Sequence, residues 1–208
     1  MSADAPLTMV VDDDPSVRKS LVRLIRSAGH EVLAFASARE FLEWTPPDRP
    51  CCVVLDVRMP GLGGLALQEA LTSAGRRLSI VFLSGYRDVD VGVRAMKGGA
   101  VDFLTKPVPG RDLLEAIDRA LAKSRQTRRE EARTADVHCR IRTLTPREAQ
   151  VFALVVTGML NKQVAAELGV SEKMVKVHRG RVMEKMRAGS LAELVWLADE
   201  ARVVAVRA

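Results

Sequence analysis

Four short apolar segments of the 208-residue chain run into side chains suited to phosphoryl chemistry. Leu7–Val11 leads into Asp12, Asp13 and Asp14, Cys51–Leu55 into Asp56, and Ser79–Leu83 into Ser84; Val101–Leu104 is followed closely by Lys106 and Pro107. Carboxylates brought together repel one another unless a cation sits among them, and their hard oxygens favour an ion such as Mg²⁺ or Mn²⁺. Beside such an ion, Asp56 would be a nucleophile toward a phosphoryl group, forming an acyl phosphate. Lys106 would neutralise a phosphoryl oxygen as a point charge, and Ser84 would offer it a hydroxyl hydrogen bond. Taken singly, an Asp run after a strand is commonly a solvated turn, a Ser there a helix cap, and a Lys before Pro a surface residue. Only convergence makes them a site.

The elements that would bring them together are legible. Leu7–Val11, Glu31–Phe35, Cys51–Leu55, Ser79–Leu83 and Val101–Leu104 read as strands, several too apolar to keep a wet face. Helical patterns lie between them. Val17, Leu21, Leu24 and Ile25 recur at helical spacing before Gly29; Ser37 would cap a helix over Ala38–Trp44. Leu65–Thr72, Val89–Met96 and Arg111–Lys123 complete the alternation. The pattern predicts a doubly wound α/β domain on a five-stranded parallel sheet, in which ligands bind beyond the carboxyl ends of the strands.

Charge divides the chain. Residues 1–123 hold 16 basic and 16 acidic side chains, whereas residues 124–208 hold 16 basic against 10 acidic, the whole of the +6 excess. A neutral domain over 1–123 and a basic one over 143–208 follow, the second meeting a polyanion. Residues 124–142 are charged and poor in large apolar groups, and read as a linker that could extend the preceding helix. Beyond them the pattern is wholly helical. Thr145-Pro146 with Glu148 marks one helix start, a short helix covers Lys162–Leu168, Gly169-Val170-Ser171 makes a turn, Glu172–Met186 forms a longer helix, and Ser190 caps a last one. A short helix, a tight turn and a second helix describe a helix-turn-helix. One face of Glu172–Met186 carries Val175, Val182 and Met186; the other carries Lys173, Lys176, His178, Arg179, Arg181 and Lys185, able to meet phosphates and base edges.

Composition sets the limits. At 48% hydrophobic and 4% aromatic, the chain can bury a core, and that core must be aliphatic. No apolar run approaches the ~18 residues that span a bilayer. The opening MSADAPLTMVVDDD lacks a basic stretch followed by a long apolar one, and Cys51, Cys52 and Cys139 have no metal-ligand spacing, so a reduced cytoplasmic protein without a membrane partner is expected.

The motifs VVDDD, LDVRMPGLGG, FLSG and AVDFLTKP, in this order, resemble the receiver domain of two-component response regulators. The resemblance implies a flavodoxin-like fold, with Asp56 as phosphoacceptor and metal ligand, Asp13 as a direct ligand, Asp12 acting through water and the Arg58 backbone carbonyl completing the set. It further implies Ser84 as the switch hydroxyl, Lys106 as the phosphate-binding lysine before a cis proline, and Phe103 as the aromatic switch position. A plain core Phe at a strand end reads equally well for Phe103. A sensor histidine kinase would supply the phosphoryl group, and the only enzymatic activity would be the receiver's Mg-dependent autophosphorylation and slow autodephosphorylation.

Residues 144–198, through LTPRE, NKQVA, SEKMVKVHRGRVMEKM and SLAELV, resemble the LuxR-type helix-turn-helix. By that resemblance Glu172–Met186 is the recognition helix, Lys176 and Val177 read bases, Arg179 and Arg181 lie nearby and His178 touches the backbone. Gly180 either gives close approach to DNA or leaves specificity to its neighbours. Together the halves are similar to the FixJ/NarL group, nearest FixJ-like members. This implies a regulator that dimerises through its receiver on phosphorylation, binds double-stranded promoter DNA and works with RNA polymerase, as an activator. A phosphatase built on Asp56 would need an acid two residues further on, where Arg58 stands. A ligand-sensing partner domain would need an apolar pocket where this chain offers acids.

Overall fold

The computed structural model describes residues 5–85 and 89–201, so the outermost residues of the expected segments 1–123 and 143–208 lie outside the described residues. The described chain divides into two units, residues up to Arg128 and from Arg129 onward. In the first, β1 (Leu7–Val11), β2 (Glu31–Phe35), β3 (Cys51–Asp56), β4 (Ser79–Ser84) and β5 (Asp102–Thr105) form one sheet in the order β2-β1-β3-β4-β5. All its pairings are parallel.

Period-two alternation sends successive strand residues to opposite faces. Leu7, Met9 and Val11 of β1 join Val53, Leu55 and Phe82 under α2 (Ala38–Glu43), α3 (Gly64–Ser73) and α4 (Val89–Lys97). Val10, Val54, Val81 and Leu83 face α1 (Pro15–Ser27) and the start of α5 (Gly110–Arg142). Both faces are covered, which is why these strands carry no polar alternation.

Helix ends follow local chemistry. The Asp14 carboxylate accepts the Ser16 and Val17 N–H groups to cap α1, and the Ser37 hydroxyl accepts the Glu40 N–H at α2. Gly64 opens α3 hard against β3, where a Cβ would collide with the Asp56 carbonyl and the Phe82 ring. Only glycine lets α3 start there.

The second unit is all helical: α6 (Pro146–Val155), α7 (Asn161–Leu168), α8 (Glu172–Met186) and α9 (Leu191–Glu200). Val151, Phe152, Val164, Val175, Val182 and Leu194 form its core. α7 stops at Gly169, which has φ +63°, and Ser171 caps α8 through the Met174 N–H. Thr145 and Glu148 form a reciprocal capping box at α6.

The charged stretch 124–142, expected as a linker that could extend the preceding helix, is helical throughout and continues α5 to Arg142. Ser124 is buried and accepts the Cys51 N–H at 3.0 Å in the first unit, whereas Val137 is buried in the second unit's core with Ile141 packed against it. Lys185 does not lie free on the basic face of α8. Its ammonium donates to Glu148 Oε2 at 2.6 Å and to the Thr143 carbonyl at 3.0 Å.

Glu148 is buried, and the Lys185 hydrogen bond, with the Thr145 N–H, holds its pKa down to about 2. A depressed carboxylate stabilises the fold at pH above the ordinary carboxylate range and loses that contribution as pH falls toward about 2. Lys185→Met is therefore expected to destabilise the second unit by about 3 kcal/mol at pH 7, since it strands a buried carboxylate. Glu148→Gln should flatten the acid limb of stability against pH. Urea titration with hydrogen-exchange readout on α6 and α8 checks both.

Candidate functional site

Sheet register levels the strand ends. Val11 pairs with Leu55, Asp56 with Leu83, and Ser84 with Thr105, so the residues after β1, the end of β3, the end of β4 and Lys106 share one edge. The chain order reverses between β1 and β3, which opens a crevice at their carboxyl ends.

The Lys106 ammonium joins the strands there. It donates to Asp56 Oδ1 at 2.5 Å and to Asp12 Oδ2 at 2.7 Å. Asp12 and Asp56 are 1% and 7% exposed, so neither charge could stay there unpaired. The other Asp56 oxygen accepts the Arg58 N–H at 2.7 Å, and the other Asp12 oxygen accepts the Asp14 N–H at 2.9 Å. Burial pushes the Asp56 carboxyl above its ordinary pKa, although Lys106 pulls the other way. Burial opposes the Lys106 charge, but hydrogen bonds to Asp12 and Asp56 outweigh it and its pKa is raised.

The remaining receiver residues surround this pair. Asp13 is exposed at the crevice. Ser84 is buried and its carbonyl accepts the Lys106 N–H at 2.7 Å. The Lys106–Pro107 peptide is cis. Phe103 is half-buried, its ring 6.3 Å from that of Phe82 and lying against Gly92 of α4. That placement accommodates a core Phe and a residue coupled to α4 alike.

Lys106 bridges Asp12 and Asp56 and relieves part of their repulsion. Among the described residues no three acidic, His or Cys groups form a ready cage. Three carboxylates against one ammonium still leave the crevice negative, and its donors are all oxygens. Such a set fits a hard divalent cation that takes few protein ligands and keeps its waters.

On the second unit, Lys173, Lys176, Val177, Gly180 and Arg181 are exposed on α8, while His178 and Arg179 are half-buried. Arg179 donates to Asn161 Oδ1 at 3.0 Å, tying α8 to the start of α7, and His178 Nδ1 is buried without a partner. A Cβ on Gly180 would meet nothing within 4 Å.

Comparison with known proteins agrees with both halves. Residues 8–118 match the response regulator receiver domain family, and residues 142–198 match the bacterial regulatory proteins of the luxR family. The chain is a FixJ/NarL-type response regulator. Nodulation protein W of Bradyrhizobium diazoefficiens is 50% identical over 93% of this chain and 85% of its own length. Transcriptional regulatory protein FixJ of Azorhizobium caulinodans is 42% identical over 91% of this chain and 90% of its own. Among solved structures, the response regulator StyR is 44% identical with a TM-score of 0.81, covering 94% of this chain and 99% of StyR. Full-length FixJ from B. japonicum is 39% identical with a TM-score of 0.56, over 95% of this chain and 98% of that one. The response regulator thus joins a receiver to a LuxR-type DNA-binding domain in a two-component transcriptional regulator. No helix among its described residues is long and apolar enough to cross a membrane.

Residue-by-residue reading of the regulator's sequence missed Arg18. Its guanidinium, from α1, donates to the Asp12 carbonyl at 2.7 Å and the Asp13 carbonyl at 3.2 Å, fixing the loop that presents both acids. A single Arg on an amphipathic helix reads as solvated, and only its place one turn after the acidic run marks it.

Because Lys106 neutralises two buried acids, Lys106→Met is expected to destabilise the first unit by about 3 kcal/mol at neutral pH. Adding Asp12→Asn and Asp56→Asn should restore much of the loss. Hydrogen-exchange protection in β1 and β3 reads out both changes.

Proposed function

We propose that the chain is a phosphorylation-dependent transcription regulator of the cytoplasm, most economically an activator, in which Asp56 accepts a phosphoryl group from a sensor histidine kinase. The observation carrying this reading is the Lys106 ammonium 2.5 Å from the buried Asp56 carboxylate at the end of β3. A partly desolvated carboxylate is a better nucleophile than a surface one, and Lys106 keeps its orientation fixed. An Asp56 oxygen attacks phosphorus, the bond to the donor imidazole breaks, and an acyl phosphate forms on Asp56. Lys106 then pairs with a phosphoryl oxygen, and the Ser84 hydroxyl donates to another. No other enzymatic activity is assigned beyond this self-phosphorylation and slow self-dephosphorylation.

Asp13 and Asp56, with the Arg58 carbonyl and Asp12 acting through water, would hold Mg²⁺ or Mn²⁺, which supplies neutralising charge to the phosphoryl oxygens. Arg18 supports this set by fixing the Asp12–Asp13 backbone. Drawing Ser84 and Lys106 toward the phosphoryl group shifts the ends of β4 and β5. Phe103 lies on β5 against Gly92, so movement there reaches α4. Exposed Val89, Val93 and Met96 on α4 offer apolar area for pairing with a second receiver. Pairing would set two α8 helices on half-sites roughly one DNA turn apart on promoter duplex, in reach of RNA polymerase. Lys173, Lys176, Val177 and Arg181 would then face DNA, with His178 and Arg179 at the groove edge.

Phosphorylation with a small acyl-phosphate donor and Mg²⁺ is expected to raise affinity for promoter DNA at least tenfold in a gel-shift titration, and to leave a base-labile phosphate on Asp56. Asp56→Ala should bind with the low affinity in both conditions. Equal affinity for wild type with and without donor would overturn the proposal.

A further inference from the structure

Charge does not account for everything that α8 shows to solvent. Met174 and Val177 are 46% and 43% exposed, whereas Val175, Val182 and Met186 of the same helix are buried. Residues three apart on a helix are neighbours, so the two form one small apolar patch. Lys173, Lys176 and Arg181 are exposed around it. Next along the same side comes Gly180, with open space where a side chain would project. The result is a low apolar strip fringed by cations.

Cations around the strip suit phosphates, and their sign fits duplex DNA rather than another basic or apolar protein face. The strip itself cannot hydrogen-bond to base edges. In the major groove the one apolar feature is the C5-methyl group of thymine, which distinguishes T·A from the other pairs. We infer that Met174 joins Val177, already a base reader by the family resemblance, in meeting thymine methyl groups in each half-site, and that the bare backbone at Gly180 lets α8 lie close enough for both to do so. The inference rests on the reading of α8 as the recognition helix. Met174 becomes a specificity-determining residue that its apolar character alone would have assigned to the core. Burying one methyl group against an apolar side chain changes affinity about fourfold.

The test starts from a random-sequence duplex pool selected with the full chain, acyl-phosphate donor and Mg²⁺. Thymine is expected at fixed positions of each half-site. The selected duplex is then remade with uracil, which lacks only the methyl group, at each of those positions in turn. Wild type should lose about fourfold per methyl removed. Met174→Ala and Val177→Ala should each become indifferent to uracil at one position while still losing affinity at the other. Both residues are exposed, so unchanged thermal melting of the variants is expected and excludes misfolding. If uracil costs wild type nothing while Lys176→Ala and Arg181→Ala weaken binding, methyl reading is wrong although α8 still faces DNA. If Lys176→Ala and Arg181→Ala also leave binding unchanged, α8 is not the recognition helix and both readings fall. Tighter binding by unphosphorylated Met174→Ala with uracil discrimination intact would assign the strip to a covering protein surface and overturn the inference.

Discussion

One ammonium group holds the receiver's crevice together. Asp12 and Asp56 are carried by different strands and are both buried, and two buried carboxylates at one sheet edge would each demand protonation or a counter-charge. Lys106, the residue after β5, meets both, at 2.7 and 2.5 Å. That geometry exists only because β1, β3, β4 and β5 end level, a consequence of their parallel register. The hydrophobic faces set the register, the register sets the strand ends, and the strand ends place the charges. Arg18 and the Asp14 cap then fix the acidic loop from the α1 side, so the backbone around Asp13 has little freedom left.

Most of this was legible because burial on both faces leaves an unmistakable signature. Met9, Val10 and Val11, or Val53, Val54 and Leu55, are continuous apolar runs that only a covered parallel strand explains. The acids stood out by following those runs directly. What was hidden depended on single residues. Val137 and Ile141 are spaced by one helical turn, yet two apolar residues among many charges give no amphipathic stripe, so the sequence allows the helix past Lys123 without showing that these two join the second unit's core. Arg18 acts through two backbone carbonyls and Lys185 through one carbonyl and one carboxylate, contacts that a lone cation on a helix does not announce.

The second unit shows how a charge count misleads in the same way. Not all of its basic side chains are available to a polyanion. Lys185 is held by Glu148, Arg133 pairs with Glu200 at 3.0 Å and lies over the Trp196 ring, and Arg140 donates to the Met186 carbonyl at 3.0 Å while also pairing with Asp136. Arg179 is hydrogen-bonded to Asn161. These ties fix α8 from both ends: Ser171 caps its start, and Arg140 bonds a carbonyl of its last turn. The helix is thus positioned in part by basic residues, while Lys173, Lys176 and Arg181 are left exposed.

The Lys106 bridge also constrains how a receiver of this kind can switch. Lys106 is bonded to both acids, one ammonium against two buried carboxylates. A phosphoryl group adds roughly −1.5 to −2 charge at one point, and a divalent cation adds nearly the opposite. On the proposed phosphorylation of Asp56, Lys106 would exchange partners, and the net free energy of that exchange is a small difference between large terms. Small differences suit a two-state element whose populations must be reversible. The proposed switch would need neighbouring parts in contact to convey it, and the Phe103 ring lies beside Phe82 and Gly92. A Cβ at Gly92 would come to 3.6 Å from that ring, ordinary contact, so an alanine there fits while filling the space beside Phe103.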